Sequence, residues 1–508
     1  MICGRANPES AWHRDREEKR MKSNGKTISK NTVIIKRLDA DHGRETFKNY
    51  LPLNREMVKE IGKKVKMIFD DLGGSSLIKS SRDVYIKPNA VGSNAYVYTR
   101  PEVLEAAIQY WFAAGAKNIY VIENCTQANC TRFVFETIGY NAVCKKTGAI
   151  PVYLDEGDAV EYDFSGKKSV GSDPKGYVLT KFKMPRIIHE KLIREKDANL
   201  YVNIPKLKTH SMGVVTLGIK NQWGFPIHCD RSPDHNYNLP HKIVDVLSHV
   251  RPDVTLIEGV EGTIFGHYPP LALADRCVRP FRVLIGGKNV VAVDIVGARI
   301  FGKKIQDVPH LKIALERNLG DGIQSEQDIT ITGDYSTYDD LDILDELSQY
   351  GGQYPDDLIP EFPKDVTIIK GKEMACREGC VNNSLSVLQG IYLDQHGKGG
   401  WTMIMGKGFE KDVIDNITGP VLVVGPCAVK ETGSNLVDRL GGKKVYFSRE
   451  CNDLTALVES MCHLMKVSPF KLAPPINLIK AGYLLLQMKL NRSSARMTNP
   501  LANFVKLR

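Results

Sequence analysis

Residues 198–210 read ANLYVNIPKLKTH: a run rich in β-branched and aromatic residues, Ala198–Ile204, breaks at Pro205 into two lysines and a histidine. Such a run has the length of a strand, and its polar sequel has the character of a functional loop. Further β-rich runs lie to either side, at Thr32–Arg37, Asp83–Ile86, Asn118–Glu123, Ile150–Leu154, Val254–Glu258 and Arg282–Ile285. Amphipathic stretches such as Pro101–Ala114 and Leu239–His249 separate several of them, and Pro101 suits a helix's first turn. Strands alternating with helices predict an α/β fold, a mostly parallel sheet with helices on both faces. Right-handed crossovers in such a sheet gather the ligand-binding loops at the carboxyl ends of the strands.

A chain of 508 residues exceeds what one core supports, so more than one domain is expected. The acidic stretch Asp328–Pro363 interrupts the alternation and reads as a linker with one short helix. The alternation restarts at Asp365–Lys370 and continues through Trp401–Met405, Pro420–Val424 and Lys443–Phe447 to a last helix over Asp453–Met465. This predicts a second, smaller α/β domain. The resulting plan is a basic tail over 1–30, a large α/β domain over 31–335, a linker over 336–364, the small domain over 365–466 and a basic amphipathic tail over 467–508.

With 42% hydrophobic and 25% charged residues, the composition is that of a globular protein. The net charge of +10 is concentrated toward the ends and accompanies no nucleic-acid-binding motif, so no nucleic acid partner is expected. Residues 1–30 place charges where a secretory signal would have its apolar core, which predicts a cytoplasmic protein. No run reaches the roughly 18 apolar residues of a spanning helix. The stretch Pro474–Leu490 has two readings: contact with a membrane surface, or a terminal helix docked on the protein by Leu478, Leu484, Leu485 and Leu486.

Eleven cysteines without an export signal point to reduced thiols or metal ligands rather than disulfides. Four of them follow predicted strands of the small domain. Cys376 and Cys380 come after Asp365–Lys370, Cys427 after Pro420–Val424 and Cys451 after Lys443–Phe447. Three loops meeting at one edge of a parallel sheet would unite the four thiols, a complete shell for a [4Fe–4S] cluster. Zinc is the alternative, although its cysteines usually come in close pairs and only Cys376 and Cys380 do so. Cys462 reads as core.

The large domain has its own polar constellation. Lys206, Lys208 and His210 follow Ala198–Ile204, and Lys87 and Asn89 follow Asp83–Ile86 at the equivalent edge. Cations and an amide converging there predict capture of an anionic group, such as a carboxylate or phosphate. His210 is the acid–base candidate, with its pKa held low by the neighbouring lysines. Lys220 and Asn221 are further substrate-binding candidates, and Asp294 is expected to cap a helix or pack. His228, His235 and His241 with Asp230 and Asp234 match no standard ligand spacing, so a polar rim is expected rather than a metal centre.

IKPN (86–89), NIPKLKTH (203–210), LGIKNQWG (217–224) and VAVDIVGARIFG (291–302) resemble the signatures of the domain of unknown function 362 (DUF362) family, over residues about 80–320. The resemblance implies an α/β fold and association with iron–sulfur chemistry, and no reaction. Many relatives carry ferredoxin-type CxxCxxCxxxCP inserts. This chain has none, and its separate cysteine domain would take their place. The expectation is therefore an iron–sulfur enzyme, redox in character, acting on an anionic small molecule with a ferredoxin-type electron donor. Two alternatives stand beside it: a lyase, isomerase or transferase with a structural cluster or zinc, and an electron carrier or scaffold.

Overall fold

The runs TVIIKR, IYVIE and NLYVNI carry apolar side chains on both faces, and all three form strands that are almost wholly buried. The computed structural model of the protein describes residues 28–499 except 42, 44, 79–81, 169–175, 232–236, 343–356, 452 and 473–475. Asp234, His235, residues 1–27 and most of the expected linker therefore lie outside the described residues.

In chain order the strands are β1 (Thr32–Arg37), β2 (Asp83–Pro88), β3 (Ile119–Glu123), β4 (Ile150–Tyr153), β5 (Ala159–Asp163), β6 (Lys181–Pro185), β7 (Asn199–Ile204), β8 (Lys206–His210), β9 (Val214–Val215), β10 (Val254–Thr263), β11 (Val278–Arg279), β12 (Val283–Gly287) and β13 (Thr330–Gly333). The main sheet runs in the order β13-β1-β12-β10-β7-β2-β3-β4. Strands β4, β3, β2, β7 and β10 are mutually parallel, and β12 enters antiparallel between β10 and β1. One apolar core fills each face of this sheet. A second sheet, β14 (Val366–Lys370), β15 (Trp401–Met405), β16 (Val421–Val424) and β17 (Val445–Ser448), is parallel throughout and in sequence order. It too has a core on each face, and Cys462 is buried in one of them. The fold is thus α/β, with a mostly parallel central sheet and a smaller parallel sheet in the C-terminal region.

The segment after Pro205 is not a loop. Residues 206–210 form β8, which resumes parallel pairing with β10 at Glu258 and pairs antiparallel with β9. The ten-residue β10 outruns β7, leaving an edge that β8 satisfies. Period-two alternation sets Lys206, Lys208 and His210 on one face of β8, opposite Leu207 in the core.

The two sheets are joined by direct contacts. The side chain of Asn382 donates to the Ser211 carbonyl at 2.8 Å, and the Asp394 carboxylate accepts from the backbone N–H groups of Leu271 and Ala272. Arg276 pairs with Glu361. The terminal helix Leu478–Leu490 docks less fully than its leucines suggested. Leu484 is buried against Cys130 and Phe133, while Leu478 is 82% and Leu486 54% exposed. The helix repeat points those two away from the body. No described helix is long and apolar enough to cross a membrane.

Candidate functional site

Side chains from the ends of β2 and β3 and from β8 meet at a cavity of about 840 Å³ between the two sheets. The large domain contributes Lys87, Asn89, Glu123, Lys208, His210, Lys220, Asn221, Arg231 and His267 to its wall. The opposite wall includes Asn383, Val387, Ile391 and Asp394, from the helix Asn382–Gln395 that begins just beyond Cys380.

The buried charges of this wall fall into two groups. The Lys87 ammonium lies 2.5 Å from Glu123, whose carboxylate also accepts from the backbone of Ala90 and Asn124. Burial pulls the Lys87 pKa down while Glu123 works against that pull. Gly224 makes room for the pair, since a Cβ there would fall 2.7 Å from Glu123 Oε1 and 2.9 Å from Lys87 Nζ. Lys206 is likewise neutralised, 2.8 Å from Glu258 and 3.7 Å from Glu261, and it stands behind the cavity wall rather than on it.

Lys208, Lys220 and Arg231 have no hydrogen-bonded carboxylate among the described residues. Lys208 donates to Asn89 Oδ1 at 2.8 Å and to the Val97 carbonyl, and burial, with Lys220 and Lys206 adding to it, lowers its pKa far below the ordinary lysine value. Lys220 is brought down to about 7, by burial first and by the Arg231 charge second. Arg231 spends one N–H on the Cys125 carbonyl. Three basic groups with no hydrogen-bonded carboxylate among the described residues form a site whose electrostatics favour an anion.

Amides and one carboxyl hold this arrangement in place. Asn221 accepts from Asn89 and donates to Asn203, which ties the ends of β2 and β7 to the helical turn Gly218–Asn221 that bears Lys220. Asp294 accepts from the backbone N–H groups of Gly218 and Ile219, each at 2.7 Å, at the start of that turn, in keeping with the expected capping. Burial raises the Asp294 pKa to about 7, against the pull of those two bonds.

His210 differs from its expected role. Its Nδ1 accepts from the backbone N–H of Met212 and of Gly213, at 3.1 and 3.0 Å. Those donors assign the proton of the neutral ring to Nε2, so His210 offers a hydrogen-bond donor rather than a base. Its ring stacks on His267 with centroids 3.8 Å apart.

The remaining candidates lie elsewhere. His228 is buried, and burial together with Arg231 holds it neutral. Asp230 accepts from the Lys183 backbone, and Asp245, beside His241, holds Arg317 and two backbone N–H groups. Among the described residues no three His, Cys, Asp or Glu side chains are drawn together as a metal shell.

In the small domain, Cys376, Cys380, Cys427 and Cys451 are half-buried just beyond the carboxyl ends of β14, β16 and β17. Burial raises the Cys380 thiol to about 12. The charges of Cys376 and Cys451 add to the rise, and backbone N–H groups of Cys380 and Gly406 oppose it. Gly425 lies beside Cys380, and its φ of +87° is a conformation that favours glycine. Cys376, Cys380 and Cys451 lie close enough for their charges to act on the Cys380 thiol, with backbone N–H groups beside it, and thiols so placed suit a soft metal or a cluster.

Sequence reasoning missed Arg231, His267 and the carboxylates Glu258 and Glu261. Glu123 ends β3 just as Lys87 approaches the end of β2, and equal strand-end placement was the signal that could have paired them. Arg231 carried no comparable signal.

Fold and site together define an α/β protein with a cationic cavity between a large and a small domain. Residues 84–299 match the family described as Domain of unknown function (DUF362). A thylakoid-associated protein of Synechocystis sp. is 26% identical over 246 residues, which span 46% of this chain and 67% of that protein. A crystal structure of a Thermotoga maritima protein aligns over 81% of this chain and 84% of its own, at 9% identity and a TM-score of 0.29, too low to carry an argument.

Proposed function

We propose that the protein is an enzyme that binds an anionic small molecule in the cavity between its domains and holds an iron–sulfur cluster on Cys376, Cys380, Cys427 and Cys451. The observation that carries this reading is the set of basic groups with no hydrogen-bonded carboxylate among the described residues, Lys208, Lys220 and Arg231, on a cavity whose far wall is the helix that follows Cys376–Cys380. Only Val381 separates Cys380 from Asn382, and the Asn382 side chain holds the carbonyl of Ser211, next to His210. A cluster, when bound, supplies a one-electron couple or a Lewis-acid iron. The large domain's residues bind and orient: Lys220 and Arg231 meet the anion, the Lys208–Asn89 bond sets the floor, and His210 donates from Nε2. A ferredoxin-type protein is the proposed electron donor and the cytoplasm the proposed location. The relative's name places that protein with thylakoids and says nothing of a reaction.

Anaerobic purification with iron and sulfide analysis and paramagnetic resonance tests the cluster. About four iron atoms per chain are expected, with loss of iron in Cys376→Ser and Cys427→Ser. Colourless, zinc-loaded protein would overturn it in favour of the zinc alternative. A second reading, proton-transfer chemistry without electrons, rests on Lys220, whose pKa of about 7 suits an acid–base group. Turnover unaffected by cluster reduction but abolished by Lys220→Met would select it.

A further inference from the structure

The helix Leu478–Leu490 is apolar on two sides, and only one is used. Ala481, Leu484 and Met488 face Cys130 and Phe133 on the large domain. On the other side, at 3.6 residues per turn, stand Leu478, Ile479, Tyr483, Leu486 and Leu490. They are 82%, 85%, 58%, 54% and 66% exposed. Scattered exposed apolar residues need no explanation, but five large ones along one side of one helix form a contiguous patch.

The surrounding charge indicates what covers it. From Lys466 to Arg508 the chain has eight Lys and Arg residues and no Asp or Glu. Lys480 and Arg492 are paired, with Glu136 and Asp158, whereas Lys471 and Lys489 have no carboxylate partner among the described residues. An apolar stripe flanked by cations, without acidic residues, is the pattern that enters the headgroup region of an anionic bilayer. A protein partner's apolar groove would require no such one-sided charge. The patch also adjoins the cavity in sequence: Phe470 is 57% exposed, and Lys471 and Leu472, shortly before the helix, belong to the cavity wall.

We infer that the protein docks on anionic lipid surfaces through the outer face of the helix Leu478–Leu490, with Lys471 and Lys489 supplying charge attraction. Docking holds the Lys471–Leu472 side of the cavity toward the bilayer. The inference stands independently of the cluster.

Flotation of the full chain with vesicles tests it, using phosphatidylcholine alone and phosphatidylcholine mixed with phosphatidylglycerol. Binding to the mixed vesicles should be about tenfold or more stronger than to phosphatidylcholine, and weaker at high salt. Ile479→Asp with Leu486→Asp should lower it at least about tenfold, with thermal unfolding and phosphate binding unchanged because both side chains are exposed. Equal binding of variant and wild type would overturn the inference. So would self-association that the variant abolishes without any vesicle binding, which assigns the patch to a second copy. Vesicle binding that emerges only after deletion of residues 500–508 would assign it to that segment instead.

Discussion

Charge is handled in opposite ways at the carboxyl edges of the two sheets. In the large domain, Lys87 has Glu123, Lys206 has Glu258, and Arg100 has Glu261, all nearly free of solvent exposure. A buried cation is tolerable there because a carboxylate lies in contact with it. In the small domain, four thiols follow the strands of one edge, and burial drives the thiol of Cys380 toward its neutral form. The contrast teaches that the first edge is neutralised by ion pairs within the fold, while the second carries polarisable sulfur kept uncharged by burial. The cavity lies between them and belongs to neither class wholly: among the described residues Lys220 and Arg231 have no hydrogen-bonded carboxylate, and Arg231 donates to the Cys125 carbonyl.

The largest effect should come from breaking one of these ion pairs. Glu258→Ala strands Lys206 in the interior and is expected to cost about 3–5 kcal/mol in urea-induced unfolding. Lys206→Met combined with Glu258→Leu should recover most of it, because removing both charges removes the desolvation penalty as well. A cost shared equally by the single and double variants would show that the pair is not what holds the β8–β10 junction.

Lys220→Met is the counterpart at a group without a hydrogen-bonded carboxylate among the described residues. It should leave stability unchanged or higher, since no carboxylate loses a partner, and weaken inorganic phosphate binding by about 1.5–3 kcal/mol in titration calorimetry. With its pKa near 7, Lys220 is charged below that value, so wild-type phosphate binding should decline as pH rises through about 7 and the variant should show less of that decline. A variant as weakly stable as Glu258→Ala would place Lys220 with the structural pairs.

The smallest effect concerns Asp294, which supports the turn carrying Lys220. Its folded pKa of about 7 lies above its ordinary value of 3.8, so between these values the folded state binds the extra proton. The Asp294 contribution therefore favours folding at low pH and is lost as pH rises from about 4 to about 7. Asp294→Asn, which resembles the protonated form, should cost about 1 kcal/mol at low pH and flatten that slope. Parallel pH–stability curves for the two proteins would remove Asp294 from this role.

Much of the fold was legible because strand periodicity and helix length are local. TVIIKR and NLYVNI bury both faces wherever they sit in a parallel sheet, and WTMIM in the small domain forms its strand at the expected residues. The extended form of Lys206–His210 was not legible, because it depends on how far β10 projects beyond β7. The outward turn of Leu478 and Leu486 was equally invisible, since composition records two apolar faces but not which of them has a neighbour.

The sequence by itself determined which residues follow the strands: Lys87, Asn89 and Lys208 in one region, and four cysteines in the other. Alternation of strand and helix is a nearest-neighbour property, and it carries the loops to the same edge whatever the distant contacts are. Only the tertiary structure decided which charges are cancelled. Lys206 meets Glu258, and Lys220 has no carboxylate partner among the described residues, because sheet order decides which residues far apart in the chain come within a few ångströms, and Coulomb energy falls with distance and rises as the surroundings are desolvated.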